Sequence, residues 1–381
     1  MKQKFTIHTF FPNYYDETWV SYTLKSISEG MGDQSVKVQL YVESKAKHVK
    51  YKNIKSLLPR FLLTYTAKWV SSGSILNTCR TLVHYFKPRM RRGDVAYFWL
   101  SNPVDVSNEL REEGILVVRE MINCTLARKR DELNKAFAQI GEQPTHGISD
   151  EAIDEEKAQL LSADLIFCPN NFVLESVMAY GIPAHKCFKT SYGWDPERFI
   201  HPKSADSSAG LNVLFVGTVD VRKGAPTMLE AWERAGIDGK LIIAGSVDQM
   251  LTAKYQHILN RPDVQLLGHV SEIETVYPTA DVFCFLSWEE GGPLVTIEAA
   301  SNGLACVVTE MGAGGFVSDR NGALVVEPGD IDATVQVLQT LAKDRALLES
   351  LSQQAKSLSA DFTWKKVAQS RLQAIKHLLQ P

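Results

Sequence analysis

The chain has 381 residues, with 41 Lys and Arg against 44 Asp and Glu, a formal net charge of -3 and 45% hydrophobic content. That length is long for one core and suits two domains, and the near-neutral balance carries no electrostatic footprint for a nucleic-acid partner. Six cysteines without a CxxC pair exclude zinc-ligand spacing, and no apolar run reaches the length of a signal-peptide core or a membrane span. A reducing, cytoplasmic location is therefore expected.

In chain order, FTIHTFF (5–11) is the first candidate strand. The loop after it, PNYYDETWVSYTL (12–24), lacks glycine and offers Asp16, Glu17 and Trp19 as candidate ligand contacts. VKVQLYV (36–42) is the second strand. From Lys45 to Arg92 the chain has twelve basic residues and no acidic one, with Phe61, Leu62, Leu63 and Trp69 between them. Basic charge interleaved with apolar side chains suits an anionic membrane surface, a polyanionic ligand or a solvated helix face. DVAYFWL (94–100), ILVVRE (115–120) and DLIFCP (164–169) complete the first set of strands. Arg119, Glu120 and Asn123 follow one of them as candidate site residues, or as a salt bridge at the edge of the sheet.

The polar, small-residue segment HPKSADSSAG (201–210) reads as a linker. After it the rhythm sharpens. LNVLFVG (211–217), KLIIAG (240–245), VQLLG (264–268), DVFCFL (281–286), LACVVT (304–309) and ALVV (323–326) are short apolar runs separated by helical segments. Buried strands alternating with helices predict parallel sheets covered on both faces, hence an α/β chain of two doubly wound, Rossmann-like domains. Two such domains define a cleft at the C-terminal ends of their strands. The domains are placed at 1–195 and 196–361.

The stretch FCFLSWEEGGPLVTIEAASNG (283–303) reads as a strand, a glycine-rich turn and a helix starting at Pro293. A helix N-terminus attracts phosphate through its unpaired N–H groups and its dipole. Glu290 in the turn and Glu298 in the helix would repel phosphate, so they are expected to face hydroxyl groups. That combination suggests a nucleotide-sugar site. Ser287, Glu290, Gly291 and Glu298 resemble the Glu-x7-Glu motif of retaining GT-B glycosyltransferases of family 4, the group 1 glycosyl transferases.

The resemblance extends along the second half and is loose in the first. NVLFVGTVDVRKGAPTMLEAWERA (212–235) is similar to the family's strand, loop and helix at the donor diphosphate. Gly217 ends the strand and Lys223 matches the lysine of the family's Lys-Gly pair. Thr218 stands where many members have arginine, and Arg222 is expected to substitute for it. SYGWDPERF (191–199) resembles the link between domains, and TEMGAGG (309–315) the turn near the transferred sugar. Gly268, His269 and Val270 are implied contacts to the base, and Gly291, Gly292, Pro293, Leu294 and Val295 to the donor. FTWKKVAQSRLQAIKHLL (362–379) resembles the family's closing helix, so 362–381 is expected to return to the first domain. Val367, Leu372, Ile375, Leu378 and Leu379 form its apolar face. Asp330-Ile331-Asp332 follows Pro328-Gly329 and reads as a helix N-cap rather than a metal site.

The resemblance implies metal-independent transfer of a sugar from a UDP- or GDP-sugar to a glycan or lipid-linked acceptor, with retention of configuration and no cofactor. Arg222, Lys223 and the helix N-terminus would stabilise the departing diphosphate. Glu298 would accept from ribose hydroxyls, and Glu290 would hold the sugar. Glu120 is carried as a further catalytic candidate, with Asp16, Glu17, Trp19, Arg119 and Asn123 on the acceptor side. A lipid-linked acceptor would account for the basic stretch and for peripheral attachment to the inner face of a membrane. The rival readings are a sugar-nucleotide epimerase of the same fold and a non-catalytic nucleotide-binding protein.

Overall fold

A computed structural model describes residues 5–57, 74–199, 210–316 and 322–380. The expected linker at 201–210 therefore lies outside the described residues except for Gly210. So do Arg60, Phe61, Leu62, Leu63, Lys68 and Trp69 of the basic stretch.

The chain forms two compact units. The first contains residues up to Leu126, Ser149–Thr190 and the chain from Trp364 onward; the second contains Ala127–Ile148 and Ser191–Thr363. In the first unit, β1 (Phe5–Tyr15), β2 (Val36–Lys45), β3 (Ile54–Ser56), β4 (Val95–Trp99), β5 (Leu116–Glu120), β6 (Leu165–Cys168) and β7 (Cys187–Lys189) form one parallel sheet. Its order is β3-β2-β1-β4-β5-β6-β7. The inner strands are continuous apolar runs because helices cover both faces. β4 is buried at every position, as is β6.

The second unit repeats this topology. β8 (Leu211–Val216), β9 (Gly239–Ala244), β10 (Val264–Gly268), β11 (Val282–Phe285), β12 (Ala305–Val308) and β13 (Ala323–Val325) are ordered β10-β9-β8-β11-β12-β13. Each sheet therefore reverses its winding once, between β1 and β4 and between β8 and β11. Crevices beyond the C-terminal strand ends at such reversals are where open α/β sheets bind ligands.

The units are not the contiguous blocks expected. Helix Leu126–Gln139 lies between β5 and β6 in the chain, yet it packs in the second unit from Ala127 onward. Its apolar face explains this. Ala136 and Ile140 are buried in the second unit's core, with Phe137 packed against them. Gln139 Nε2 donates to the Gly329 carbonyl at 2.6 Å, and Lys254 Nζ to the Ile140 carbonyl at 2.5 Å. Residues 191–195 also belong to the second unit, where Trp194 Nε1 donates to the Ser359 carbonyl at 2.7 Å.

The terminal helix, Trp364–Leu378, groups with the first unit and packs on helix Trp19–Met31. Gly30 permits the approach: a Cβ there would stand 2.5 Å from the Ala368 Cβ. Val367, Leu372 and Ile375 are buried as expected, but Leu378 is exposed. The inward face is completed instead by Trp364, Ala368 and Arg371.

Candidate donor site at the second switch point

The site is built where β8 and β11 end. Gly217 closes β8 with φ of 133°, and Gly224 opens helix Ala225–Ala235 with φ of 69°. A Cβ on Gly224 would fall 1.9 Å from the Leu286 carbonyl oxygen, so only glycine lets this loop press against the end of β11. The Trp288 N–H donates to the Arg222 carbonyl at 2.8 Å, and Ser287 Oγ donates to the same oxygen at 3.1 Å. Thr309 Oγ1 in turn donates to the Ser287 carbonyl at 2.6 Å. Three loops are thereby tied into one frame.

Charge is concentrated on this frame. Arg222 Nη1 donates to Glu290 Oε1 at 2.8 Å and to the Glu289 carbonyl at 2.8 Å. Burial alone would lower the pKa of Arg222, but Glu290, Glu289 and Asp220 more than offset it and hold the guanidinium charged. Asp220 is pushed upward chiefly by burial, against the pull of Arg222. Arg222 is expected at the departing diphosphate. In the structure Nη1 is committed to residues 289 and 290, while Nε and Nη2 make no hydrogen bond among the described residues.

Lys223 is placed differently. Its backbone N–H donates to Asp220 Oδ1 at 2.8 Å, and its ammonium sits at Gly217, where a Cβ would be 2.8 Å from Nζ. The Phe285 ring centroid is 5.7 Å from Nζ. Among the described residues no carboxylate lies within ion-pair distance of this ammonium. Gly217 is thus favoured by its backbone, and a side chain there would displace the lysine above it.

Pro293, expected to open the helix, is its extended N-cap, with φ of -67°, and the helix runs from Leu294 to Ser301. Thr296 Oγ1 donates to the Gly312 carbonyl at 2.6 Å and ties the first turn of the helix to the 309–315 segment. Gly292 packs against Tyr192; a Cβ there would be 2.4 Å from the ring. Leu294 and Val295 are partly buried on the first helical turn. Glu298 is 6% exposed, and its Oε2 accepts from the Tyr277 hydroxyl at 2.8 Å. Burial raises its pKa, and the Tyr277 hydrogen bond opposes that rise. Its other oxygen makes no hydrogen bond among the described residues. Gly268, with φ of 65°, ends β10, and His269 is exposed beside half-buried Val270. Gly291 lies in the turn between Glu290 and the helix, and Thr218 follows Gly217 half-buried.

Asp330 Oδ1 accepts from the Ala333 N–H at 2.8 Å and caps helix Ile331–Lys343. Asp332 pairs with Arg234.

Residues 210–344 match the family described as glycosyl transferases group 1. Sucrose-phosphate synthase from Thermosynechococcus elongatus aligns over 98% of this chain and 99% of its own, with a TM-score of 0.71 and 17% identity. Anabaena HepE, solved in complex with UDP and glucose, aligns over 98% of this chain and 100% of its own, with a TM-score of 0.67 and 13% identity. The chain has the GT-B fold. Among curated proteins, the Escherichia coli UDP-Gal:alpha-D-GlcNAc-diphosphoundecaprenol alpha-1,3-galactosyltransferase is 30% identical over 114 residues, 29% of this chain and 30% of its own length. The matches span less than half the length of the curated relatives.

In the first unit of this GT-B chain the expected site residues divide. Glu120 is fully buried and does not reach a site. Its Oε1 pairs with Arg371 Nη2 at 2.9 Å, both side chains wholly buried, and the Tyr97 hydroxyl donates to its Oε2. The catalytic assignment of Glu120 is therefore corrected to a structural ion pair. Arg119 is also buried, its pKa lowered by burial to about 10, and its Nη2 donates to the Leu100 carbonyl at 2.5 Å. Leu100 holds φ of 73°, a conformation that L side chains rarely adopt. Asn123 is half-buried just beyond β5.

The loop after β1 remains open. Asp16 Oδ1 accepts from the Thr18 N–H at 3.0 Å and from Ser21 Oγ at 2.8 Å, organising the entry to helix Trp19–Met31. Glu17 and Trp19 have φ of 61° and 48°. Glu17 is tied to Lys25 at 3.2 Å, whereas Trp19 projects 80% exposed. Strained, non-glycine backbone at a switch point is a recurring mark of ligand sites.

Glu289, Lys129, Tyr277 and Arg371 were missed by sequence reasoning. Glu289 beside Glu290 reads as solvated charge, and only its position at a buried strand end hinted otherwise. Lys129 and Arg371 come from distant segments and carry no local signal.

Proposed function

We propose that this protein transfers a sugar from a nucleoside-diphosphate donor to a glycan or lipid-linked acceptor, with retention of configuration and without a metal. The carrying observation is the Lys223 ammonium, unpaired with any described carboxylate, at a switch point whose loops also present Glu290 and a helix N-terminus. Departure of the donor breaks the anomeric C–O bond, and the phosphate oxygen keeps the electron pair. The acceptor hydroxyl forms the new bond on the same face and passes its proton to that oxygen. Lys223 and the first N–H groups of helix Leu294–Ser301 meet the growing negative charge. One preorganised donor of this kind lowers the barrier by about 2.7–4 kcal/mol. Glu290, fixed by Arg222, accepts from sugar hydroxyls, and the Tyr277-held Glu298 accepts from the ribose. The relatives support UDP as the first nucleotide to try and a diphosphoundecaprenol-linked sugar as the first acceptor. The test is transfer from UDP- and GDP-sugars to such an acceptor, with product linkage read by NMR. Activity should survive excess EDTA. Loss restored by manganese or magnesium would reject the metal-free mechanism, and an inverted linkage would reject retention.

We further propose a cytoplasmic location with peripheral attachment through the basic stretch 45–92. Lys47, Lys50, Lys52, Lys55, Arg91 and Arg92 are exposed. The stretch is less cationic than it reads, because Arg80 pairs with Asp105, and Lys87 with Glu109 and Glu113. Among the described residues no helix is long and apolar enough to cross a membrane. Each remaining basic residue adds about 1 kcal/mol near an anionic leaflet. Co-sedimentation with phosphatidylglycerol vesicles should be strong at low salt and weak near 1 M, where the Debye length falls to about 3 Å. Changing Lys47, Lys50, Lys52 and Lys55 to Ser should remove most of it. Wild type that ignores these vesicles at low salt would reject the membrane role.

A further inference from the structure

Glu289 is the most deeply placed charge at the donor loop. Its side chain is 0% exposed, and its Oε2 lies 3.5 Å from Arg222 Nη1 and 3.7 Å from Lys129 Nζ. A carboxylate is driven into a protein interior at high cost unless cations compensate it. Arg222 alone compensates poorly, because the same Nη1 also serves Glu290 and the Glu289 carbonyl. The second cation comes from helix Leu126–Gln139, which the chain inserts between β5 and β6 yet packs in the second unit.

We propose that Lys129 and Glu289 are positioning residues of the donor site: Glu289 anchors Arg222 against Glu290, and Lys129 keeps the assembly electrically open to a diphosphate. This rests on the reading of the β8 and β11 loops as the donor site. The charges carry the argument. Asp220, Glu289 and Glu290 supply three negative charges, and Lys129, Arg222 and Lys223 supply three positive ones. With Lys129 the six groups sum to zero. Without it they sum to minus one, in a partly dehydrated pocket that must accept an anion. Lys129 is itself 26% exposed, so its charge also faces outward. The helix does not need it for docking, since Ala136, Phe137, Ile140 and the Gln139 hydrogen bond to Gly329 already hold the helix in the second unit.

The two partners therefore have opposite expected effects on binding, which a merely structural contact would not produce. Lys129→Ala should weaken UDP binding, or GDP binding if that is the donor nucleotide, by roughly tenfold, the size of a partly screened unit charge. It should raise donor KM by a similar factor, leave uridine or guanosine affinity unchanged, and be rescued by Lys129→Arg. Glu289→Gln should leave diphosphate affinity unchanged or tighter while lowering kcat, because Arg222 keeps its hydrogen bond to the 289 carbonyl but loses the carboxylate charge that holds it against Glu290. Titration calorimetry, steady-state kinetics and thermal melting on the full chain read these separately. Wild-type diphosphate affinity in Lys129→Ala would overturn the proposal, as would equal losses for nucleoside and diphosphate that track a fall in Tm. Wild type that binds neither UDP nor GDP would overturn the donor-site reading, and this proposal with it.

Discussion

Arg371→Leu is expected to lower the unfolding free energy by about 3–5 kcal/mol, the range for removing one partner of a buried ion pair. Arg371 and Glu120 are both wholly buried in the first unit, joining the terminal helix to the end of β5 at 2.9 Å. The guanidinium also lies 5.5 Å from the Phe167 ring centroid, so truncation loses packing as well as charge. The larger part of the loss comes from what remains: the Glu120 carboxylate, left with the Tyr97 hydroxyl on Oε2 and no cation on Oε1. Changing both residues together to apolar side chains should therefore recover much of the stability, because the unpaired charge is gone. Urea unfolding of the two single variants and the double variant closes this cycle. Glu120→Gln, if it folds, should turn over donor at the wild-type rate per folded molecule. A Glu120→Gln variant that is fully folded and inactive would return Glu120 to the catalytic site. An Arg371→Leu variant as stable as wild type would show that the pair is not what ties the terminal helix to the sheet.

The contrast between Glu120 and Glu290 shows what a linear sequence conveys. Both stand at the ends of apolar strands in similar local surroundings. Glu290 lies in a turn whose partner, Arg222, sits in the neighbouring strand's loop, a separate segment that also resembles the family. Glu120 is neutralised from 251 positions away in the chain, and no local pattern announces that. In the second unit β8, β9, β11 and β12 were legible because buried parallel strands are continuous apolar runs, and the partly exposed β10 and β13 because VQLLG and ALVV are apolar all the same. β3 and β7 were not, because the edge segments IKS and CFK carry no apolar run. The excursion of helix Leu126–Gln139 into the second unit was hidden for the same reason as Arg371: a helix's apolar stripe shows that it will be covered, not by what. The charged face of that helix then hid Lys129 among exposed neighbours.

Lys223→Ala is expected to weaken binding of the donor nucleoside diphosphate by roughly 10- to 150-fold, from the 1.5–3 kcal/mol that a charged hydrogen bond contributes. It should lower the transfer rate by about 10²–10³ when donor is saturating, since charge on the leaving diphosphate grows toward the transition state. The physical ground is the placement of the ammonium. It stands over Gly217 at the end of β8, held by the Phe285 face and by the loop that Asp220 closes, without a carboxylate partner among the described residues. An ammonium with no ion pair among the described residues, beside Arg222 and the first turn of helix Leu294–Ser301, has an anion as its natural partner. Lys223→Arg should recover binding only in part, because Gly217 leaves room for a slender ammonium and a planar guanidinium must displace the loop. Glu298→Gln tests the other end of the same ligand. It keeps an acceptor for the Tyr277 hydroxyl while removing the charge, so it should weaken nucleotide binding without a matching loss of stability. Lys240→Ala, an exposed lysine near the opposite end of β9, serves as the control that should change neither. Calorimetric titration of the four variants with the donor nucleotide decides the matter: unchanged affinity in both Lys223→Ala and Glu298→Gln would remove the diphosphate and ribose from this crevice.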